Sequence, residues 1–294
     1  SPVLSYSKFQ QILQLKDRKG YAHIVLDLNY AESEGLQAAI SRLCQEAEAA
    51  VRNGQTLLIL SDKHIRPNYL PANALLVTGA VHHHLSAVGV RCDANLIIET
   101  AIARDPHHFA VLLGFGATAI YPYLAHEIIA DLARTGEVLG DPLEAQAYFR
   151  KGINKGLLKI LSKMGISTLA SYRAGQLFEA VGLNSEVVNV CFKGVPSRIQ
   201  GARFVDLEND QKLLAADAWK ERKAIEAGGL LKFVYGKEYH AFNPDIINSL
   251  HDAVRSGDYQ DYQRYADLVN DRPVATIRDL LKLNTDNNIA LDDV

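Results

Sequence analysis

Three consecutive histidines, His82-His83-His84, are the side chains of this sequence that first suggest metal chemistry. Imidazole nitrogen is a common zinc ligand, and a helix presents two histidines to one ion when they are spaced at i and i+4. Successive helical residues point about 100° apart, so three in a row do not converge on one ion. We therefore predict that these three histidines serve in packing and hydrogen bonding, and we predict no metal ligands in this chain.

Several polar side chains follow predicted strands or begin the next helix. They are Asp62, His64, Glu99, Thr100, His107 and His108. His107 and His108 come directly after Asp105-Pro106, which is typical of a helix N-cap and its first residue. The carboxyl ends of parallel strands form the usual active-site edge of α/β folds. An independent metal-dependent or acid–base enzyme is therefore the alternative function, although the sequence contains no recognisable catalytic set of nucleophile and base.

The run Gly114-Phe115-Gly116 is glycine-rich, as phosphate-binding loops are. A dinucleotide fingerprint needs its glycines after a strand and before a helix, so that the helix N-terminus meets the pyrophosphate. This run precedes a predicted strand and lacks the third glycine. We therefore interpret it as a helix end and a tight turn, and we predict no cofactor-binding residues in this chain.

One predicted helix carries a regular row of lysines. The row is Lys151, Lys155, Lys159 and Lys163, with Gly152 and Gly156 beside it. The spacing of four residues places the lysines on one stripe, opposite an apolar stripe that includes Ile153 and Leu157. Each glycine costs about 1 kcal/mol relative to alanine and leaves room for another backbone to approach. A solvated surface and an anionic cofactor site are possible explanations; the functional hypothesis is that these six residues dock another domain.

Short apolar runs alternate with amphipathic segments in the first half of the chain. The runs predict strands at 22–27, 56–60, 96–98 and 117–121, and the segments between them predict helices at 36–51, 73–88, 106–113 and 123–134. Such alternation indicates an α/β fold of parallel βα repeats, with the sheet covered on both faces. The pattern is compatible with a barrel and with an open sheet.

The second half is predicted to be mostly helical. Asp141-Pro142 is typical of a helix start, and that helix is predicted to end near Met164, before Gly165. The remaining patterns predict a strand at 166–169, helices at 173–181 and 207–226, a strand or hairpin at 230–242, and helices at 244–255 and 258–270. We predict two domains, 1–227 and a helical extension at 228–294.

The composition excludes several classes of protein. The 294 residues are 48% apolar and 22% charged, as in ordinary globular chains. The net charge of −3 provides no basic excess for nucleic acid, and no apolar run approaches the roughly 20 residues that cross a membrane. Cys44, Cys92 and Cys191 form no CxxC pair, and a reducing, cytoplasmic compartment suits them.

Several blocks of this sequence resemble the central domain of the glutamate synthase large subunit. They are Val77–Leu85, His107–Phe109 with Gly114–Ala117, Ile153–Thr168, Ser171–Leu183 and Tyr239–Pro244. The block Ile153–Thr168 is the most specific of them. The resemblance implies a degenerate or incomplete TIM-like barrel that binds no cofactor itself and joins two catalytic domains.

The same resemblance implies the chemistry of the parent enzyme. An amidotransferase domain releases ammonia from glutamine, and the ammonia travels through an internal tunnel. A flavin-binding domain adds it to 2-oxoglutarate and reduces the imine with FMN. The FMN receives its electrons through an iron–sulfur cluster, and ferredoxin or NADPH is the electron donor. The implied partners are therefore the amidotransferase and FMN-binding domains of the same polypeptide.

This chain lacks the catalytic residues that the family uses. Residue 1 is Ser, where the amidotransferase would have a nucleophilic cysteine, and the clustered cysteines of an iron–sulfur site are absent. We expect the chain to be a piece of a longer polypeptide. We predict a non-catalytic connecting domain that holds its neighbours in register for ammonia channelling and that is inactive in isolation.

Overall fold

The computed structural model describes residues 1–16, 18–221, 228–282 and 289–293. The chain forms two compact units, Ser1–Lys220 and Glu221–Val294. The predicted domain boundary between residues 227 and 228 adjoins segment 222–227, which lies outside the described residues. That boundary stays a prediction.

The described part of the first unit contains strands and helices in alternation. The strands are β1 (His23–Asp27), β2 (Asn29–Ala31), β3 (Leu57–Ser61), β4 (Tyr69–Pro71), β5 (Asn95–Glu99), β6 (Ala117–Tyr121), β7 (Ala180–Leu183) and β8 (Ser197–Ala202). The helices are α1 (Tyr6–Leu13), α2 (Leu36–Arg52), α3 (Ala74–Ala87), α4 (Pro106–Gly114), α5 (Tyr123–Arg134), α6 (Pro142–Met164), α7 (Leu169–Tyr172), α8 (Ser185–Cys191) and α9 (Phe204–Ala218).

Four parallel strands form the main sheet, in the order β1-β3-β5-β6. Each strand pairs with the next one along the main repeat, so that Val25 lies beside Ile59, and Ile59 beside Ile97. This sequential winding is that of a βα barrel, but the described strands form an open sheet and do not close. The predicted α/β class with parallel βα repeats is confirmed, and the barrel is incomplete.

The two faces of this sheet are covered by different parts of the chain. Leu60 and Ile98 belong to the main core, together with buried side chains of α2, α3 and α4. On the opposite face, Ile59 and Ile97 pack against Phe9 of α1. Burying one such side chain contributes about 1.5–3 kcal/mol. Helix α1 therefore occupies the face that would line the interior of a closed barrel.

Helix α6 begins and ends where its sequence signals predict. The Asp141 side chain accepts hydrogen bonds from the amides of Leu143 and Glu144, at 2.8 and 3.0 Å. Pro142 occupies the first turn, where no amide hydrogen is needed. Gly165 ends the helix with φ of 69°, a left-handed conformation that favours glycine.

The strand predicted at 166–169 is absent. Instead, Thr168 Oγ1 accepts a hydrogen bond from the Ser171 amide at 3.4 Å, and this cap starts the short helix α7. The helix predicted at 173–181 is also wrong, because a loop and strand β7 occupy this segment. The β-branched residues at 166–169 therefore do not form a strand, and the next strand along the chain is β7.

Two small sheets escaped prediction. Strands β2 and β4 pair antiparallel, and β7 and β8 pair in parallel. Strands β2, β4 and β7 have only three or four residues, too short for a clear alternation of apolar and polar side chains. Strand β8 is mostly exposed and lacks the buried apolar run of the main strands. The predicted helix 207–226 is confirmed as far as Ala218, where α9 ends; residues 219–221 are not helical, and 222–227 lie outside the described residues.

The second unit contains α10 (Pro244–Ser256) and α11 (Tyr259–Asn270), as predicted. Residues 230–242 contain no strand, so the predicted aromatic hairpin is wrong. Arg272 instead ties this loop to the chain after α11, because its guanidinium donates to the Ala241 carbonyl at 2.9 Å and to Asp279 at 3.0 Å. Among the described helices of both units, none is both long enough and apolar enough to cross a membrane.

Candidate functional site

Some of the polar side chains that the sequence predicts at the strand ends lie together at the carboxyl ends of β3 and β5. Ser61 and Glu99 are register partners, and the Ser61 hydroxyl donates to Glu99 Oε2 at 2.7 Å. The Thr100 hydroxyl donates to Asp62 Oδ2, and the Ala101 amide donates to Asp62 Oδ1 at 3.0 Å. All four side chains, Ser61, Asp62, Glu99 and Thr100, are at most 6% exposed. Both buried carboxyl groups therefore already have partners within the chain.

The electrostatics of this edge are consistent with a structural role. Burial raises the pKa of Asp62, against the opposing effect of its hydrogen bonds from Thr100 and the Ala101 amide. Burial and the neighbouring Asp62 raise the pKa of Tyr123, so its hydroxyl remains protonated and can donate to Asp62. The Lys63 ammonium lies 3.8 Å from Glu99. The network ties the ends of two strands to the start of α5.

The predicted histidines do not join this network. His64 and His107 are exposed, and His108 Nδ1 accepts from the Arg104 amide at 3.2 Å. His108 Nε2 lies 3.6 Å from Asp105, the residue that caps α4. Within the described ranges, no three side chains of His, Cys, Asp or Glu form a group that could hold a metal ion.

The three consecutive histidines have three different environments. Arg91 Nε donates to His82 Nδ1 at 2.9 Å, whereas His84 Nε2 lies 2.8 Å from Glu48 and links α3 to α2. His83 Nε2 is buried and has no hydrogen-bond partner in the described part of the chain. Burial, with a contribution from the Arg91 charge, lowers the pKa of His82 to about 4, and burial lowers that of His83. His82 is therefore neutral at pH 7.

The lysine row forms an exposed face of α6. Lys151, Lys155, Lys159 and Lys163 are all exposed, and none has an ion-pair partner among the described residues. Tyr148 and Leu158 lie on the same side of the helix and are 60% and 66% exposed. Ile153, Leu157 and Leu161 are buried on the opposite side, as predicted. The face combines positive charge with uncovered apolar area.

The two glycines beside the lysines differ in their surroundings. A Cβ atom on Gly156 would lie 2.5 Å from Cγ of Pro106, so this glycine allows α4 to approach α6 closely. Nothing lies within 4 Å of the equivalent position on Gly152, which is open to the outside. Gly156 thus has a role within the domain, and Gly152 is the open position on this face. The docking role of the six residues stays a prediction.

Comparison with known proteins identifies the family. Residues 1–184, more than half of the chain, match the family described as the glutamate synthase central domain. This chain is a member of that family. The sequence blocks that resembled the glutamate synthase central domain therefore predicted the family correctly.

The relatives of this glutamate synthase domain are much longer than the chain. It is 38% identical over 300 residues to the NADPH glutamate synthase large chain of Azospirillum brasilense, covering 100% of this chain and 20% of that one. It is 40% identical over 270 residues to the ferredoxin-dependent glutamate synthase of Pyropia yezoensis, covering 87% and 18%. The chain thus spans about a fifth of the length of these relatives, as expected for a domain within a larger polypeptide.

The solved structures found by comparison share little sequence with this central domain. The recombinant flavin-binding domain of baker's yeast flavocytochrome b2 is 13% identical, with a TM-score of 0.39. The match covers 76% of this chain and 45% of that structure.

Proposed function

We propose that this chain is the connecting domain of a glutamate synthase large chain and hosts none of its reaction centres. The observation that carries the proposal is the match of residues 1–184 to the central domain of this family. The whole polypeptide would form glutamate reductively from glutamine and 2-oxoglutarate, with electrons from ferredoxin or NADPH. The names of the relatives, which include both kinds of glutamate synthase, support this activity.

FMN and the iron–sulfur cluster of that reaction would be bound outside this chain. The three cysteines do not suit a cluster, since Cys44 and Cys191 are buried and Cys92 is exposed on a separate turn. Burial raises the pKa of Cys44 to about 11, which disfavours the thiolate that binds metal. We assign residues 1–227 to the connecting domain and 228–294 to the segment that leads towards the FMN-binding domain, in a cytoplasmic enzyme.

The physical task of this domain would be to keep an amidotransferase and an FMN-binding domain in a fixed arrangement, so that ammonia passes between them without reaching bulk water. A close-packed parallel sheet suits this task, because packed cores transmit displacement and deform little. The strand-end carboxyl groups support a structural role, because Asp62 and Glu99 are both buried and engaged in internal hydrogen bonds.

The exposed face of α6 is the surface that we assign to docking. Its exposed residues are Lys151, Gly152, Lys155, Lys159 and Lys163, and Gly156 lies at its covered edge, beside Pro106 of α4. The uncovered area of Leu158 supports an interface, as does the open position at Gly152, where a neighbouring backbone can approach. A partner surface with carboxylates would complement the lysines and fix the register of contact.

The isolated chain provides the test that separates this function from an independent enzyme. We expect the purified 294-residue chain to contain neither flavin nor stoichiometric metal, to release no ammonia from glutamine, and to form no glutamate. Absorbance spectra, elemental analysis and an ammonia assay measure these properties, with a whole glutamate synthase as the positive control. Stoichiometric zinc, manganese or iron, or any turnover that is lost in a Glu99→Gln variant, would instead favour the alternative enzyme.

A further inference from the structure

A cavity of about 250 Å³ lies beside the consecutive histidines and is not used by the proposed function. It is bounded by the second half of α3, the end of α4, and the loops before β7 and β8. The lining side chains that matter for recognition are His82, His83, Phe115, Gln176, Phe178 and Lys193. Segments that are far apart in sequence therefore build one partly open cavity within the first unit.

The charge around this cavity is positive. Its lining contains the exposed Lys193 and contains no Asp or Glu. Arg91 lies behind His82, where its guanidinium also donates to the Ala94 and Gly116 carbonyls, at 2.6 and 2.8 Å. These bonds hold the cation in place without a carboxylate to neutralise it. A negatively charged ligand would meet a favourable potential here.

Unused hydrogen-bonding groups accompany this charge. His82 Nδ1 accepts from Arg91, so the ring proton lies on Nε2, which remains a donor. His83 Nε2 is buried and lacks a partner within the described residues. A buried polar atom without a partner destabilises the folded protein. A ligand oxygen that accepted from His83 would remove that destabilisation.

The loop that forms one wall is held in a strained conformation. Ala174 and Gln176 have φ of 57° and 51°, in the left-handed region that non-glycine residues rarely adopt. Such a conformation is strained and persists where surrounding contacts enforce it. Here the Ala174 amide donates to the Gly114 carbonyl at 2.9 Å. The strained loop thus places Gln176 in the lining of the cavity.

An aromatic wall completes the cavity. The rings of Phe115 and Phe178 are stacked, with centroids 5.5 Å apart and an interplanar angle of 29°. A Cβ atom on Gly114 would lie 2.3 Å from the Phe178 ring, so this glycine is needed for the wall to form. Such a wall favours a ligand with a flat apolar body in addition to its charge.

We propose that this cavity binds a small organic anion, with its carboxylate or phosphate at His83 and Lys193 and its apolar body against Phe115 and Phe178. The volume lies below the roughly 300–1,000 Å³ typical of sites for drug-sized ligands, so the ligand is small. Benzoate and phenyl phosphate represent the two possible anionic groups on the same ring. Benzamide has nearly the same shape as benzoate and no charge.

Titration of the 294-residue chain with these three compounds tests the proposal, with binding followed by NMR of the histidine rings. We expect saturable shifts of the His82 and His83 resonances with benzoate, with phenyl phosphate, or with both, and a Kd at least tenfold weaker for benzamide. The stronger of the two anions identifies the preferred group.

Lys193→Gln is the decisive variant, because Lys193 is exposed and its replacement leaves the core unchanged. We expect its Kd for the preferred anion to rise about tenfold, whereas Lys19→Gln, at an exposed position before β1, binds as the parent chain does. Circular dichroism establishes that both variants are folded. The proposal is overturned if neither anion gives saturable shifts, if benzamide binds equally well, or if Lys193→Gln binds with unchanged Kd.

Discussion

Replacing Gly79 by alanine is expected to lower the free energy of unfolding by about 3 kcal/mol, near the upper end of the usual cost of overpacking a core. Gly79 lies in the buried centre of α3, where α8 ends against it. An added Cβ would be 2.0 Å from the backbone oxygen of Cys191. A backbone oxygen cannot rotate away as a flexible side chain can, so the two helices must separate. Urea unfolding followed by circular dichroism measures the change.

Gly152→Ala is the matched control, because it makes the same substitution in another helix where nothing lies within 4 Å. We expect that variant to gain about 0.5–1 kcal/mol from the higher helix propensity of alanine. The close approach of α3 and α8 would be contradicted if Gly79→Ala were as stable as the parent chain, or gained as much as Gly152→Ala.

Reversing the charge of two lysines on α6 is expected to uncouple the two half-reactions of the whole synthase. In the Lys155→Glu/Lys159→Glu variant, a surface that attracts carboxylates would repel them, and like charges brought together at an interface cost several kcal/mol. A coupled enzyme would use one glutamine for each 2-oxoglutarate. We expect the ratio of glutamine hydrolysed to 2-oxoglutarate consumed to rise at least about twofold, because repulsion at this surface would loosen the interface. Parallel assays of glutamine hydrolysis and 2-oxoglutarate consumption measure it.

Lys155→Arg/Lys159→Arg is the corresponding control, because it keeps the charge at both positions. That variant should remain coupled. Both lysines are exposed and have no ion-pair partner in the described structure, so neither pair of substitutions should unfold the domain. If the Lys155→Glu/Lys159→Glu variant were fully coupled, the docking role of α6 would be contradicted. The membership of the chain in the family would be unaffected.

The elements that sequence analysis predicted correctly are those whose signals are local. Helix α6 has an apolar stripe, an N-cap at Asp141 and a C-terminal Gly165, so its bounds follow from neighbouring residues alone. The middle residues of the four main strands are mostly apolar because helices cover one face and α1 covers part of the other, although Ile24 and Val25 of β1 stay exposed. Their periodicity could not decide between a barrel and an open sheet, because closure depends on contacts between strands distant in sequence.

The errors lie where local signals are weak or compete. Thr168 is β-branched and suits a strand, but its hydroxyl caps α7 instead. Val181 in β7 was assigned to a helix, because its strand of four residues is too short to show an alternating pattern. The aromatic residues near Tyr235 favoured a hairpin, yet tertiary contacts hold that segment as a loop. For β7 and the 230–242 loop the deciding partners, β8 and Arg272, are not adjacent in sequence, whereas at Thr168 two local preferences compete.

In the candidate site, too, some features follow from local sequence and others depend on distant contacts. Register alone joins Ser61 to Glu99, so the strand-end network follows from predicted parallel strands. The contact between His82 and Arg91 could not be predicted, because it depends on the fold of the turn after α3. The cavity could not be predicted either, because its lining includes Lys193, more than 100 residues from His82. The open surroundings of Gly152 and the covered ones of Gly156 were equally invisible, since both glycines fit the same helical pattern.

The most direct test of the connecting role is an isotope competition in the whole glutamate synthase. The enzyme would receive glutamine labelled with ¹⁵N in its amide group, together with an excess of unlabelled ammonium, and mass spectrometry would measure the label in the glutamate formed from 2-oxoglutarate. If the domain holds two reaction centres in register, this glutamate keeps its full ¹⁵N content. Dilution of the label to the level of the surrounding ammonium pool would contradict the account, because the nitrogen would then have passed through bulk water.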